Sequence, residues 1–104
     1  MSATRLDSIR EMLAQKPNDS FLTYALANEY RNTGDLPMAI QTYQQLFENN
    51  PDYVAAYYQC GQAHEKAGDL DAAAAVYDAG ISVARRIGDA HALSELQAVR
   101  DILG

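Results

Sequence analysis

From Ser20 to about Thr33, apolar side chains recur at Leu22, Ala25, Leu26 and Tyr30, the spacing of one helical face, while Asn28, Arg31 and Asn32 fall elsewhere on the circumference. Ser20 is placed to cap the amino end of that helix, and Gly34 can take the left-handed conformation that ends it. Asp35 then caps a second helix with Pro37 in its first turn, where a missing N–H costs nothing. The buried stripe of this helix reads Leu36, Ala39, Ile40, Tyr43, Leu46 and Phe47, and Pro51 stops it after Asn49 and Asn50. Downstream the grammar returns. Tyr57, Cys60, Gly61 and His64 share a face, Gly68 and Asp69 make a turn, and Leu70, Ala73, Ala74, Tyr77 and Ile81 continue. Near the amino terminus, residues 3–15 put Leu6, Ile9, Met12 and Leu13 on one face and end at Lys16-Pro17; after Gly88, Asp89 can cap a last helix reaching Leu103. Six helices are predicted.

Sliding the sequence by 34 places superimposes residues 20–53 on residues 54–87. Tyr24 falls on Tyr58, Gly34-Asp35-Leu36 on Gly68-Asp69-Leu70, Ala39 on Ala73 and Tyr43 on Tyr77, while Pro17 and Pro51 precede successive units. Small residues recur at Ala27 and Gly61 before the turns and at Ala39 and Ala73 after them, so that the two helices of each hairpin can approach to about 8–10 Å. This pattern resembles the tetratricopeptide repeat family, in its small bacterial form, through Leu26, Ala27, Tyr30, Ala39, Tyr43 and Pro51 in the first unit and Tyr57, Gly61, Ala73 and Tyr77 in the second. The resemblance covers residues 20–87 and implies an all-α superhelical solenoid. A single domain over residues 1–104 is expected: an extra helix over 3–16, repeats over 20–53 and 54–87, and a capping helix over 89–103. Three positions depart from the family pattern. Thr23 stands where a large aromatic is usual, Gly80 replaces an alanine, and Arg85 replaces a helix-stopping proline, so the second unit's last helix should run on to Gly88.

Composition narrows the function classes. Fourteen acidic side chains against eight basic ones give a net charge of −6, and the longest basic cluster is Arg85-Arg86. Binding to nucleic acid relies on clustered cations that neutralise phosphates, and anionic membranes repel an acidic surface, so neither partner is expected. Apolar runs are too short for a transmembrane helix or a secretory signal, and the lone Cys60 cannot form an internal disulfide, so a cytoplasmic location is expected. Cys60 and His64 are four apart on one helix, a spacing able to meet a metal, but both belong to the interhelical face and His91 sits in another helix. No serine or cysteine has an evident base partner and no glycine-rich loop follows a strand. The chain is therefore read as a non-enzyme without metal or cofactor.

A protein or peptide partner remains. The resemblance puts the first helices of the repeats on a concave groove, lined by Phe21, Tyr24, Asn28, Arg31 and Asn32 from the first unit and by Tyr58, Gln62, Glu65 and Lys66, with Ala55 beside them, from the second. Tyr24 and Tyr58 admit two readings: rings that cover a guest's apolar side chains, or half-buried packing residues. Some relatives clamp a carboxylate-rich chaperone tail, but here only Asn28 matches that pattern, with Tyr24 and Gln59 where lysine and asparagine would stand. The expectation is an adaptor or scaffold that holds a partner segment in the groove. A second expectation concerns the last helix, whose Ala92, Leu93, Leu96, Val99, Ile102 and Leu103 span close to half its circumference. The surplus could bury itself as a cap, it could fold partly into the groove, or Leu93, Leu96, Val99 and Leu103 could join two copies as a homodimer rather than a monomer.

Overall fold

The structure, a computed structural model, describes residues 4–104. Six α-helices follow one another: α1 (Arg5–Gln15), α2 (Ser20–Asn32), α3 (Leu36–Asn49), α4 (Ala55–Lys66), α5 (Leu70–Ile87) and α6 (Ala90–Leu103). Ala3, where the sequence pattern starts the first helix, lies outside the described residues.

Local chemistry sets these limits. Aspartates open four of the helices: the carboxylates of Asp19, Asp35, Asp69 and Asp89 accept from the backbone N–H groups of Leu22, Met38, Ala72 and Ala92 at 2.9, 3.2, 3.1 and 3.0 Å. Asp19 thus takes the capping place expected for Ser20, because its carboxylate already reaches the third residue on. Ser20 becomes the first helical residue, and its hydroxyl accepts from Asn50 Nδ2 at 3.3 Å. Thr4 and Asp7 form a reciprocal box at the start of α1. The two hairpin turns are copies of each other. Gly34 and Gly68 have φ of +88° and +82°, and the N–H of the following aspartate closes back on Tyr30 O at 2.9 Å or His64 O at 3.0 Å. With Arg85 in place of a proline, α5 continues for 18 residues until Gly88 turns it at φ +77°.

Neighbouring helices pack in chain order, and α2, α4 and α6 also touch one another as alternate members of the stack. The radius of gyration, 13.9 Å against about 13 Å for a globular domain of similar length, reflects this one-way stacking. Two core clusters result. Ala27, Tyr30, Ala39, Tyr43, Leu46, Ala56, Cys60 and Ala63 form the first; Tyr57, Ala73, Tyr77, Val83, Ala84 and Leu96 form the second. Phe47 and Val76 pack against both, and the Phe47 ring stacks on Tyr57 with centroids 4.0 Å apart. Small residues permit the closest contacts. A Cβ on Gly61 would lie 2.1 Å from Cε1 of Tyr77, and one on Gly80 would lie 2.6 Å from Cβ of Tyr57 and 3.1 Å from Cδ1 of Leu96.

The core differs from the sequence pattern in a few places. On α2 the most buried residues are Thr23, Ala27 and Tyr30, while Leu22, Ala25 and Leu26 are only half-buried, because helices this close leave room for small side chains at the line of contact. Thr23 tolerates burial by donating its hydroxyl to Asp19 O at 2.9 Å. Met12 and Leu70, expected inside, are 47% and 53% exposed: Met12 is on α1, which packs against α2 alone, and Leu70 opens α5 beside an exposed turn.

Candidate functional site

Beneath the first helices of the two repeats lie two side chains that sequence pattern alone reads as simple core. Tyr43 on α3 and Tyr77 on α5 are fully buried, and each sends its hydroxyl toward the polar residues of the first helix in its own repeat. The Tyr43 hydroxyl donates to Asn28 Oδ1. The Tyr77 hydroxyl donates to Glu65 Oε2 at 2.5 Å and accepts from Gln62 Nε2 at 2.7 Å, while the same Gln62 nitrogen lies 3.3 Å from Glu65 Oε2. Burial holds both phenols well above the ordinary tyrosine pKa, helped at Tyr77 by the Glu65 carboxylate and opposed at Tyr43 by the Arg31 charge. Both therefore stay protonated and act as fixed donors.

Arg31 completes the arrangement in the first repeat. Its terminal nitrogen Nη1 donates to Gln59 Oε1 on α4, which ties α2 to α4 across the seam. The Nε of Arg31 is enclosed without a partner, and among the described residues it is the one buried side-chain nitrogen or oxygen in that position.

The candidate groove residues divide between different surroundings. Tyr24, Asn28, Arg31, Tyr58, Gln62 and Glu65 are half-buried, whereas Asn32 and Lys66 are exposed. Tyr24 has a packing duty, with its ring centroid 5.2 Å from that of Tyr53, which sequence reasoning passed over because Tyr53 lies in the α3–α4 loop rather than on a periodic face. Phe21 is 66% exposed and opens into a separate cleft of about 360 Å³ with Met12, Gln15, Lys16, Asp19 and Leu22. Tyr58 with Val54 and Ala55 borders a cleft of about 170 Å³ whose opposite wall is Ala92, Glu95 and Leu96 of α6. The last helix therefore forms one wall of the trough beside α4.

That placement takes Leu96 out of the set of residues considered for pairing two copies. Leu96 is 1% exposed and sits over Gly80, so it is core and unavailable to a second copy. Leu93, Val99 and Leu103 pack on the same second cluster. These three are half-buried, and Ile102 is 81% exposed on the outer face of α6.

Gln59 and the two core tyrosines are the members of the site that sequence reasoning missed. Their signal was the 34-residue spacing of Tyr43 and Tyr77 together with that of Asn28 and Gln62. Cys60 has no exposure in the first cluster, and burial pushes its thiol up to about 12. His64 is half-buried, with its pKa lowered by desolvation against the opposing pull of Asp69. Neither faces a third metal-ligating group, since no three histidine, cysteine, aspartate or glutamate side chains converge among the described residues.

Two stacked helix hairpins with 34-residue register and small residues at the close contacts match a known sequence profile. The profile of the tetratricopeptide repeat matches residues 24–90. The chain belongs to the tetratricopeptide repeat family. A TPR repeat-containing protein of Pseudomonas aeruginosa is 30% identical over 91 residues, covering 88% of this chain and 87% of that protein. Among solved structures, a tetratricopeptide repeat domain protein from Salinibacter ruber superimposes with a TM-score of 0.79 at 38% identity, over 84% of this chain and 88% of that one. The TPR2B domain of yeast Sti1, solved in a complex with pHsp70, shares the fold with a TM-score of 0.87 at 18% identity, over 94% and 78%. Family and fold are those of protein-interaction modules. Among the described residues no helix is long and apolar enough to cross a membrane.

Proposed function

We propose that this tetratricopeptide repeat protein is a non-catalytic adaptor that holds a segment of another protein in the trough between α2 and α4, with α6 as the far wall. The observation that carries this reading is the pair of buried hydroxyls under the trough. Fixed from below, Asn28, Gln62 and Glu65 have their rotamers set before any guest arrives, which lowers the ordering cost of binding. Residues 20–53 and 54–87 act as the two repeats of one recognition unit, and the Sti1 complex provides a precedent for a ligand on this fold. A lone cysteine kept as a buried thiol fits a reducing compartment, and we place the protein in the cytoplasm.

The test is affinity capture with the full chain as bait, in parallel with a variant carrying Asn28→Ala, Tyr58→Ala and Gln62→Ala. A partner retained by the parent chain and lost by the variant, at unchanged helical circular dichroism, is the expected result. Equal retention by both removes the trough from the account.

A further inference from the structure

The hydrogen bonds beneath the trough have a direction, and the two repeats differ in it. In the first repeat the Tyr43 hydroxyl occupies the acceptor oxygen of Asn28, and the Arg31 guanidinium occupies the acceptor oxygen of Gln59. An amide has one oxygen that accepts and one nitrogen that donates, and a guanidinium only donates. What this seam offers is therefore mostly donors, the Asn28 and Gln59 amide nitrogens and Arg31 Nη2, beside one remaining lone pair on each amide oxygen. The Asn28 and Gln59 amide nitrogens and Arg31 Nη2 are not among the buried atoms lacking a partner, so each reaches solvent, whereas Arg31 Nε stays enclosed. In the second repeat the sense is reversed. The Gln62 nitrogen is taken by the Tyr77 hydroxyl and by Glu65, so its oxygen and the Glu65 carboxylate, both acceptors, are what remain.

Charge follows the same division. Arg31 and Glu65 are 34 residues apart, in equivalent places of the two repeats, half-buried and of opposite sign. They do not pair with each other. Arg5, Arg86 and Arg100 hold Glu29, Asp52 and Asp78, whereas the half-buried Arg31, like the exposed Arg10 and Arg85, holds no carboxylate among the described residues despite a net charge of −6. Half-buried charges without counter-charges are costly, and a guest that supplies them offsets the cost.

We infer that the trough takes an extended segment of a partner protein bearing an acidic side chain over the Arg31–Asn28–Gln59 seam and a basic one over Gln62 and Glu65. Packed helices stand about 8–10 Å apart and an extended chain advances about 3.3 Å per residue, which sets the acidic and basic positions about three residues from each other. The side chains that read the acid are Asn28, Arg31 and Gln59, and its source is a side-chain carboxylate within the segment rather than a chain end. This inference rests on the trough being the binding site.

The immobilised full chain is offered a displayed library of random eight-residue peptides, and enriched sequences are resynthesised with both ends blocked. Peptides sharing an acid and a base about three places apart are expected, with affinity falling about tenfold or more when the acid is changed to its amide. Selection on Arg31→Glu should replace the acid with a base, selection on Glu65→Lys should replace the base with an acid, and Arg31→Gln should erase the preference at that place. Matching circular dichroism and melting temperatures keep these comparisons meaningful. Peptides that depend on Asn28, Tyr58 and Gln62 but show no charge pattern, an unchanged pattern on Arg31→Glu, or binding only with a free carboxyl end overturn the inference and leave the trough intact. Peptides that still bind the Asn28→Ala, Tyr58→Ala, Gln62→Ala variant overturn both, and an empty selection overturns the charge assignment.

Discussion

Residues without side chains decide the fit of this protein as much as large ones do. Gly61 lies under the ring of Tyr77, and a Cβ there would stand 2.1 Å from a ring carbon whose hydroxyl is held by Gln62 and Glu65. The ring cannot retreat without surrendering those bonds, so Gly61→Ala is expected to cost about 1–3 kcal/mol, read as a lower urea midpoint at unchanged m. Gly80 sets a sharper case. Helix propensity favours alanine over glycine by about 1 kcal/mol, yet the new methyl would lie 2.6 Å from Tyr57 Cβ. Gly80→Ala should therefore lower the melting temperature; a rise would show that α6 yields more easily than its packing indicates. Cys60 gives a third expectation. With its thiol raised from 9.0 to about 12, the folded protein at pH 8 holds about a thousandfold less thiolate than the unfolded chain, so iodoacetamide should label it slowly until urea is added. The sign for stability follows. A folded pKa above the unfolded one gives stability that is whole below pH 9 and is lost as pH rises toward 12, and Cys60→Ala should flatten part of that loss in urea titrations.

Helix limits were legible because their signals are local. Gly34, Gly68 and Gly88 end helices at positive φ and Asp35, Asp69 and Asp89 begin them, as one residue and its neighbours dictate. The cap at Asp19 rather than Ser20 was not distinguishable by residue type, since both side chains accept from the same turn of backbone. What lay beyond reach was the far side of each contact. Periodicity marks Leu96 as apolar, but only the gap at Gly80 shows that it lands inside the stack. Likewise Tyr43 and Tyr77 read as core, and the destinations of their hydroxyls depend on the distance between helices, which no sequence window contains. At this scale Leu96→Ala is expected to cost about 2–5 kcal/mol, measured by chemical denaturation, because it empties a site enclosed by α4, α5 and α6. A variant as stable as the parent would contradict the burial.

The molecule as a whole presents a stack with exposed large apolar side chains toward both ends, Met12 and Phe21 at one and Ile102 at the other. With Leu96 enclosed and Leu93, Val99 and Leu103 on the second cluster, no broad apolar face remains on α6 to join copies, so sedimentation velocity across micromolar concentrations should give a single, concentration-independent species of 11.4 kDa. A coefficient that climbs with concentration would return self-association to consideration.

Each tyrosine under the first helices serves the residues of its own repeat, while the bond from Arg31 to Gln59 joins the first repeat to the second. Exchanging the side chains at 28 and 31 with those at 62 and 65 would give up that tie and turn the charge pattern end for end. A guest that lay in one direction along the parent chain would then lie in the other.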